Sequence, residues 1–196
     1  MSAGRVLVVS GPSGCGKSTL CRRLLEDERV EFSVSATTRP IRKGEVDGRD
    51  YHFLTVPEFR ERLAAGAFIE HAEVYGNMYG TLRAPMDAAF AAGRVYLIEI
   101  DVQGALQLMG LGVEGIYAFI APPSEEILRA RLTGRGTDAP EVIERRLQKA
   151  TDEMRERHRY DHVIVNDDLE TALAELRGVA GLNLRGAEGA SPGGTP

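Results

Sequence analysis

The sequence contains little that would place it in a membrane, outside the cell or on nucleic acid. No apolar run approaches the roughly 20 residues that a membrane-spanning helix needs. The N-terminal segment MSAGRVLVVSG leads straight into a strand-like run, without the cleavage pattern of a signal peptide. The 24 basic side chains are outnumbered by 29 acidic ones, which argues against a general surface for nucleic acid or anionic membranes. We therefore expect a cytoplasmic protein whose partners include neither nucleic acid nor a membrane, and in which any basic site is local.

Cysteine is scarce as well. The only two, Cys15 and Cys21, lie six residues apart at the start of one predicted helix. Helical geometry points them in different directions, so we expect no disulfide between them. No spacing of potential ligand residues matches a metal-binding pattern. With 196 residues, 43% hydrophobic and 27% charged, the chain has the composition of one globular domain that can carry inserted subdomains.

Apolar runs that alternate with helical patterns indicate the fold class. The run at 6–9, of valine and leucine between glycines, is typical of a strand buried on both faces of a parallel sheet. Comparable runs lie at 95–100, 116–120 and 163–165. Each is followed by apolar residues at helical spacing: after Lys17, at about 103–110, from Ser124 and at 169–180. Strands alternating with helices predict an α/β fold with a doubly wound parallel sheet.

Two stretches break this alternation. Between about 35 and 83, short strand-like pieces such as 51–54 surround one helix that begins at Pro57 and ends near Gly66. At 133–137, glycines beside an arginine lead into a charged helix, which suggests a mobile lid. We therefore divide the chain into a core of residues 1–34, 84–130 and 158–185, an inserted subdomain of residues 35–83, a lid of residues 131–157, and a tail of residues 186–196, which has almost nothing to bury and is predicted to be disordered.

The segment GPSGCGKS, from Gly11 to Ser18, matches the phosphate-loop pattern and lies between a predicted strand and a predicted helix. Its glycines let successive backbone N–H groups converge on phosphates, and the helix N-terminus adds a favourable dipole. Lys17 would reach the β- and γ-phosphates of a nucleotide, and the Ser18 hydroxyl could ligate Mg²⁺. Cys15 is either a small buried filler or a thiol activated by the helix N-terminus.

Two carboxylates, Glu99 and Asp101, lie at the end of the run at 95–100. At that position they could face the phosphate loop, hold Mg²⁺ through water or orient an acceptor, but ordinary strand-end acids look the same in sequence. We assign a functional role to Asp101 and leave that of Glu99 open.

The segment SATTRPIRKGE, which begins at Ser35, places Arg39 and Arg42 three residues apart among hydroxyl side chains. The planar guanidinium group binds phosphate oxygens in two places at once, so this segment suits a phosphate group. From the spacing alone, a solvated basic loop or a weak RNA contact is an equal alternative.

Six further blocks, together with the phosphate loop, resemble the guanylate kinase family. They are SVSATTRPIRKGEVDGRDYHF, FIEHAEVYGNMYGT, IEIDVQG, FIAPPS, RLTGRGT and VIVNDD, and with the loop they run from about 6 to 168. The resemblance implies the fold of the P-loop nucleoside monophosphate kinases. It also implies a Mg²⁺-dependent enzyme that transfers the γ-phosphoryl group of ATP to GMP or dGMP, giving ADP and GDP.

The resemblance also implies the site residues. GMP would be bound through its phosphate by Arg39, Arg42, Tyr51 and Tyr79, and around the guanine by Ser35, Glu70, Thr81 and Asp101. ATP would be bound by Gly11, Pro12, Ser13, Gly14, Cys15, Gly16, Lys17, Ser18 and Thr19, with Ser18 as the metal ligand. The catalytic residues would be Lys17, Arg42 and the lid arginines Arg135 and Arg146. The Glu70 carboxylate independently suits the N1–H and N2–H₂ donors of guanine, whereas Tyr51 and Tyr79 could instead be core aromatics of the insertion.

The chain departs from the family pattern at four positions. Met78 stands where tyrosine is frequent, His71 where some members have tryptophan, Thr81 where many have serine and Glu99 where aspartate is frequent. Thr81 keeps the hydroxyl group of serine. Glu99 is one methylene longer than aspartate, which weakens the assignment of a metal-binding or acceptor-orienting role to this residue.

Other functions remain as alternatives. They are a P-loop phosphotransferase with another acceptor, such as AMP, dTMP or a ribose phosphate, and a non-catalytic guanylate-kinase-like module that binds peptides. The N-K-x-D motif that a GTPase switch would need is missing from the sequence. For the favoured kinase we expect a monomer or a homodimer.

Overall fold

The computed structural model describes residues 4–74, 76–134 and 140–182. Within these residues nine strands and seven α-helices follow one another, numbered here in chain order. They are β1 (Arg5–Ser10), α1 (Lys17–Leu24), β2 (Val30–Phe32), β3 (Ala36–Thr37), β4 (His52–Phe53), α2 (Val56–Ala64), β5 (Phe68–Val74), β6 (Asn77–Leu82), α3 (Arg83–Ala91), β7 (Val95–Glu99), α4 (Val102–Gly110), β8 (Ile116–Ala121), α5 (Glu125–Thr133), α6 (Pro140–Arg155), β9 (His162–Val165) and α7 (Leu169–Val179). A short 3₁₀ helix, Glu156–Arg159, joins α6 to β9.

Five parallel strands form the core sheet, in the order β2-β7-β1-β8-β9. The central strand β1 pairs with β7 on one side and β8 on the other, so its side chains can face only the two covering layers. Leu7 and Val9 pack with residues of α1 and α7, whereas Val6 and Val8 pack with residues of α3 and α4. The predicted α/β fold with a doubly wound parallel sheet is confirmed.

Residues 36–82 form a second sheet of mixed direction, in the order β4-β3-β6-β5. Strands β5 and β6 pair as an antiparallel hairpin, and β3 lies between β6 and β4. Helix α2 begins one residue before the predicted Pro57, because Thr55 and Glu58 form a capping box in front of Val56. Under the sheet, the rings of Phe59 and Phe68 stack with their centroids 4.4 Å apart. Three of the eight residues predicted to bind GMP, Glu70, Tyr79 and Thr81, lie on strands of this mixed sheet, and Arg39, Arg42 and Tyr51 lie in the segment that connects β3 to β4.

Two elements have no counterpart in the sequence-based prediction. Strand β2 has only three residues and lies at the edge of the core sheet, so it is too short for a clear apolar pattern. Helix α3 follows Leu82, which offers no capping side chain, and has a proline, Pro85, in its first turn. Without a capping residue, the start of this helix carries little signal in the sequence.

Helix α6 packs on α5 through the predicted apolar stripe. Its residues Ile143, Leu147 and Ala150 contact Leu128 and Leu132. Met154 packs instead against the core beside α4. Arg135 and the predicted tail, residues 186–196, lie outside the described residues. No helix in the part of the chain that the structure describes is both long and apolar enough to cross a membrane.

Candidate active site

The phosphate loop lies between β1 and α1 and is built on glycines with positive φ. Gly11, Gly14 and Gly16 have φ values of 141°, 89° and 97°. A Cβ atom at Gly11 would lie 2.2 Å from the Ile120 carbonyl oxygen, and one at Gly16 would lie 2.1 Å from Asn166 Nδ2. Both the backbone conformation and the close neighbours therefore require glycine at these two positions.

The loop is held from behind by Asn166 and Arg131, which no sequence motif indicated. Asn166, directly after β9, donates from Nδ2 to the Cys15 carbonyl oxygen at 2.8 Å. Arg131 of α5 donates to the Asn166 carbonyl at 2.9 Å and to the Cys15 carbonyl at 3.4 Å. The only signal for these contacts was the position of Asn166 at the end of an apolar run, since carboxyl ends of parallel strands meet at one edge of the sheet.

Within the loop, Lys17 folds over the backbone. Its Nζ atom donates to the carbonyl oxygens of Gly11 at 2.8 Å and Pro12 at 3.4 Å. Cys15 is fully buried, and burial raises the pKa of its thiol. Of the two interpretations of Cys15, the structure favours the small buried filler, because a raised pKa keeps the thiol protonated.

Ser18 and Glu99 form a pair beside Lys17. The Ser18 hydroxyl donates to Glu99 Oε1 at 2.5 Å, although the two residues are 81 positions apart. A hydroxyl and a carboxylate are hard oxygen ligands of the kind that Mg²⁺ prefers. No group of three or more His, Cys, Asp or Glu residues suited to a metal exists among the described residues. A small protein ligand set still fits Mg²⁺, which commonly binds one or two protein groups together with substrate phosphates.

A cavity of about 330 Å³ connects the phosphate loop to the mixed sheet. Most of the predicted guanine and phosphate ligands of GMP line it, beside residues of the loop and of the strand end at 99–101. The lining residues are Lys17, Ser35, Tyr51, Glu70, Ala72, Tyr79, Gly80, Glu99, Ile100, Asp101, Gln103 and Gly104. The structure thus brings together one end of the core sheet and one face of the mixed sheet.

Glu70 and Thr81 lie opposite each other on the hairpin. They are register partners of β5 and β6, and the buried Thr81 hydroxyl donates to Glu70 Oε1 at 2.6 Å. Only 8% of Glu70 is exposed, and burial raises the pKa of its carboxyl group above the usual value. A carboxylate held by one hydroxyl keeps acceptor capacity for a ligand that brings N–H donors.

Arg39 is fixed by aromatic and acidic neighbours. Its guanidinium carbon lies 5.4 Å from the centroid of the Tyr51 ring and 5.7 Å from that of Phe53, and its Nη2 donates to Glu45. Tyr51 also meets Tyr79 edge to face, with their centroids 6.1 Å apart. The contacts of Arg39, Tyr51 and Tyr79 bring three of the four predicted phosphate ligands together, with Arg42 on the adjoining turn.

Asp101 has a structural contact as well as a place in the cavity. Its Oδ1 accepts from the Gly104 N–H at 2.9 Å and caps α4, while its Oδ2 lies 3.8 Å from Lys149 Nζ of α6. Arg146 lies one turn before Lys149 on the same helix. The structure therefore links the end of β7 to the helix that carries one predicted lid arginine.

The chain is similar over most of its length to known sequences and to a solved structure. A model of the family described as "Guanylate kinase" matches residues 3–180. The guanylate kinase of Nitratidesulfovibrio vulgaris is 56% identical over 177 residues, covering 89% of this chain and 85% of that protein. The guanylate kinase of Dechloromonas aromatica is 53% identical over 178 residues, covering 90% and 88%. The crystal structure of guanylate kinase from Anaplasma phagocytophilum aligns with a TM-score of 0.72 at 38% identity, covering 91% and 85%.

Proposed function

The chain belongs to the guanylate kinase family and transfers the γ-phosphoryl group of ATP to GMP, and we propose that both substrates meet in the cavity between the phosphate loop and the mixed sheet. The observation that carries this proposal is the lining of the cavity. Lys17 and Glu99 come from the side of the core sheet, Glu70 and Tyr79 come from the mixed sheet, and Ser35 lies directly before β3 of that sheet. A donor phosphate and an acceptor phosphate would therefore lie side by side.

On the donor side, the loop residues from Gly11 to Thr19 would bind the phosphates of ATP through backbone N–H groups and the N-terminus of α1. Lys17 would exchange the carbonyl oxygens of Gly11 and Pro12 for the more negative β- and γ-phosphates. Ser18 and Glu99 would hold Mg²⁺. When bound, the ion neutralises charge on the phosphate oxygens.

On the acceptor side, Glu70 would accept hydrogen bonds from guanine N1–H and N2–H₂. The Thr81 hydroxyl holds one carboxylate oxygen of Glu70 and so restricts the rotation of this group. Ser35 and Asp101 line the same cavity and would complete the contacts to the base. Adenine has an acceptor at N1, so it would leave the buried carboxylate without a partner.

The GMP phosphate would be bound by Arg39, Arg42, Tyr51 and Tyr79. Burial raises the pKa of the Tyr51 hydroxyl, which therefore stays protonated and can donate. Phosphate is the group that two arginines and two phenols on one surface recognise best, because all four supply N–H or O–H donors.

Phosphoryl transfer to GMP needs little covalent help from the protein. The phosphate of GMP is already anionic and nucleophilic near neutral pH, so positioning and charge neutralisation should dominate over a general base. Lys17, Arg42 and the lid arginines Arg135 and Arg146 would neutralise the charge that spreads over the transferring group.

Of the alternatives, a peptide-binding module is disfavoured by the complete phosphate loop, and another acceptor is disfavoured by Glu70 with Thr81. An assay of ADP release from ATP with GMP, dGMP, AMP, CMP, UMP and dTMP tests the proposal. We expect turnover with GMP and dGMP and little with the others. Comparable rates with AMP would overturn the assignment of the guanine site. For the intact protein we propose a cytoplasmic monomer or homodimer, without nucleic acid, in keeping with its excess of acidic side chains.

Replacing Arg146 with alanine should lower kcat about 100-fold, because the transferring phosphoryl group would lose one positive charge. The KM for GMP should change much less, since Arg146 is not among the residues proposed to bind GMP. Steady-state kinetics with each substrate varied in turn measure both constants. The matched control is Arg155→Ala, at the end of the same helix, where the arginine forms an exposed pair with Asp152. A raised KM for GMP at unchanged kcat would contradict the assignment.

Removing Mg²⁺ with a chelator should abolish turnover, and adding Mg²⁺ back should restore it. GMP binding should survive the chelator, because none of the residues proposed to contact GMP is proposed to bind the metal. Calorimetric titration of GMP with and without chelator, alongside the activity assay, separates the two effects. Full turnover without divalent cations would argue against the role given to Ser18 and Glu99.

A further inference from the structure

Glu45 is not among the residues proposed to contact GMP, yet it contacts both arginines proposed to hold the GMP phosphate. Its Oε1 and Oε2 accept from Arg39 Nη2 at 2.8 and 3.1 Å. Oε2 also accepts from the backbone N–H of Arg42 at 2.7 Å. One carboxylate therefore ties the side chain of the first arginine to the main chain of the second.

The ion pair between Arg39 and Glu45 is largely shielded from water. Side-chain exposure is 10% for Arg39 and 21% for Glu45, whereas exposed pairs elsewhere in the chain, such as Arg155 with Asp152, have 72% and 57%. Shielded pairs lose less of their attraction to solvent screening than exposed pairs, which contribute little. The Tyr51 and Phe53 rings and the Pro40 carbonyl oxygen, at 2.7 Å from Nη1, hold the same guanidinium group from other sides.

Glu45 also closes the turn that carries Arg42. Its backbone N–H donates to the Arg42 carbonyl oxygen at 3.1 Å, so residues 42–45 form a tight turn. Gly44 has a φ of 92°, a conformation that favours glycine. The side chain of Glu45 thus accepts from the Arg42 N–H, and its main chain donates to the Arg42 carbonyl oxygen. These two hydrogen bonds together fix the turn.

We propose that Glu45 is a positioning residue for the GMP phosphate, which orients Arg39 and fixes the turn that presents Arg42. This inference rests on the proposed function, in which these two arginines bind the phosphate. A guanidinium group has five N–H donors, so the contacts with Glu45 and Pro40 leave donors for a ligand. Arginines ordered before binding lose less conformational entropy when the phosphate arrives, so preorganisation strengthens binding.

The same contacts would also allow Glu45 to weaken GMP binding instead of strengthening it. A carboxylate on Arg39 could act as a stand-in for phosphate and compete with GMP, in which case removing its charge would tighten binding. The burial of the pair and its second tie to the Arg42 backbone favour positioning, because a competitor would have to leave both arginines when GMP binds. The sign of the change in GMP affinity therefore distinguishes the two effects.

The test is calorimetric titration of the full-length Glu45→Gln variant with GMP and with guanosine, which lacks the phosphate. We expect the Kd for GMP to rise about tenfold, since charge-assisted hydrogen bonds to Arg39 and Arg42 are weakened. The Kd for guanosine should stay unchanged. The matched control is Asp50→Asn, because Asp50 also pairs with an arginine, Arg49, and accepts from a backbone N–H, that of Val46, but has no contact with Arg39 or Arg42.

Arg42→Ala, measured in the same way, separates this inference from the proposed function. If that variant binds GMP as tightly as the unmodified protein, the phosphate assignment itself is wrong. If it weakens GMP but Glu45→Gln leaves GMP unchanged or tightens it, positioning by Glu45 alone is overturned. Equal weakening of GMP and guanosine would show a general disturbance of the mixed sheet and would also overturn it. Glu45→Ala provides the same readout should the glutamine variant fold poorly.

Discussion

Replacing Lys17 with methionine should lower kcat on the order of 10²–10³-fold, because the variant loses the positive charge proposed to lie on the β- and γ-phosphates during transfer. The fold should remain intact. The Lys17 ammonium group donates to the carbonyl oxygens of Gly11 and Pro12, which belong to the loop and not to the apolar core. Turnover with saturating ATP and GMP, together with a thermal unfolding curve, measures both properties.

The matched control for Lys17→Met is Arg22→Met. Arg22 lies on the same helix, α1, and is exposed, so the control removes the same charge from the same element without touching the loop. We expect the control to keep its turnover. Near-normal turnover in a folded Lys17→Met protein would rule out the role given to this lysine and, with it, the donor half of the mechanism.

The unmodified protein should prefer GMP to AMP by about 10⁴-fold in kcat/KM, because sites built to hydrogen-bond a substrate reject analogues that lack the matching groups. Replacing Glu70 with glutamine should erode this preference, mainly through loss of GMP. The new amide would direct a donor at the donors of guanine, while the Thr81 hydroxyl could still bond to the amide oxygen. Kinetics with both nucleotides measure the ratio.

Glu73→Gln is the control for this variant. Glu73 lies three residues further along β5 and is exposed, so the same chemical change there should leave base preference intact. If Glu70→Gln kept the preference for GMP over AMP, the Glu70 carboxylate would not be the group that recognises guanine.

The raised pKa of Glu70 gives the same site a pH dependence. Guanine binding needs the ionised carboxylate, and burial favours its protonated form. As the pH falls, GMP affinity should therefore begin to decline at a higher pH than the titration of an exposed glutamate would allow. Glu70→Gln should lack this part of the decline, which calorimetry at several pH values would detect.

The phosphate loop could be predicted from sequence because its chemistry lies in eight consecutive residues whose glycines the backbone requires. For Glu99 the sequence left a contact with the loop and an ordinary strand-end acid as alternatives, because its pairing with Ser18 depends on β7 lying beside β1 in the core sheet. The contacts of Asn166 and Arg131 with the loop could not be predicted, for the same reason. Asn166 lies directly after β9 and Arg131 lies on α5, and both elements are far from the loop in sequence. Local patterns predict strands and helices, but the order of strands decides which distant residues meet.

The residues proposed to bind GMP show a different limit of prediction from sequence. The pattern of hydroxyls and arginines at 35–45 left a phosphate site and a solvated loop equally supported, and only the resemblance to a family separated them. Glu45 looked like one more charge in that loop. Its two ties to the arginines depend on the turn at Gly44 and on side-chain reach, which residue spacing does not express.

The hydrogen bond from Asn166 to the Cys15 carbonyl oxygen, which holds the phosphate loop, has a consequence for synthesis of the chain. The loop is complete by residue 18, but the Asn166 amide that holds the Cys15 carbonyl is translated almost 150 residues later. Both strands that flank β1 also follow it by about 90 residues or more. A nascent chain released before β9 would therefore carry the full nucleotide-binding motif without the support that shapes it. Truncated products of this gene should neither retain ATP nor compete for it with the finished enzyme.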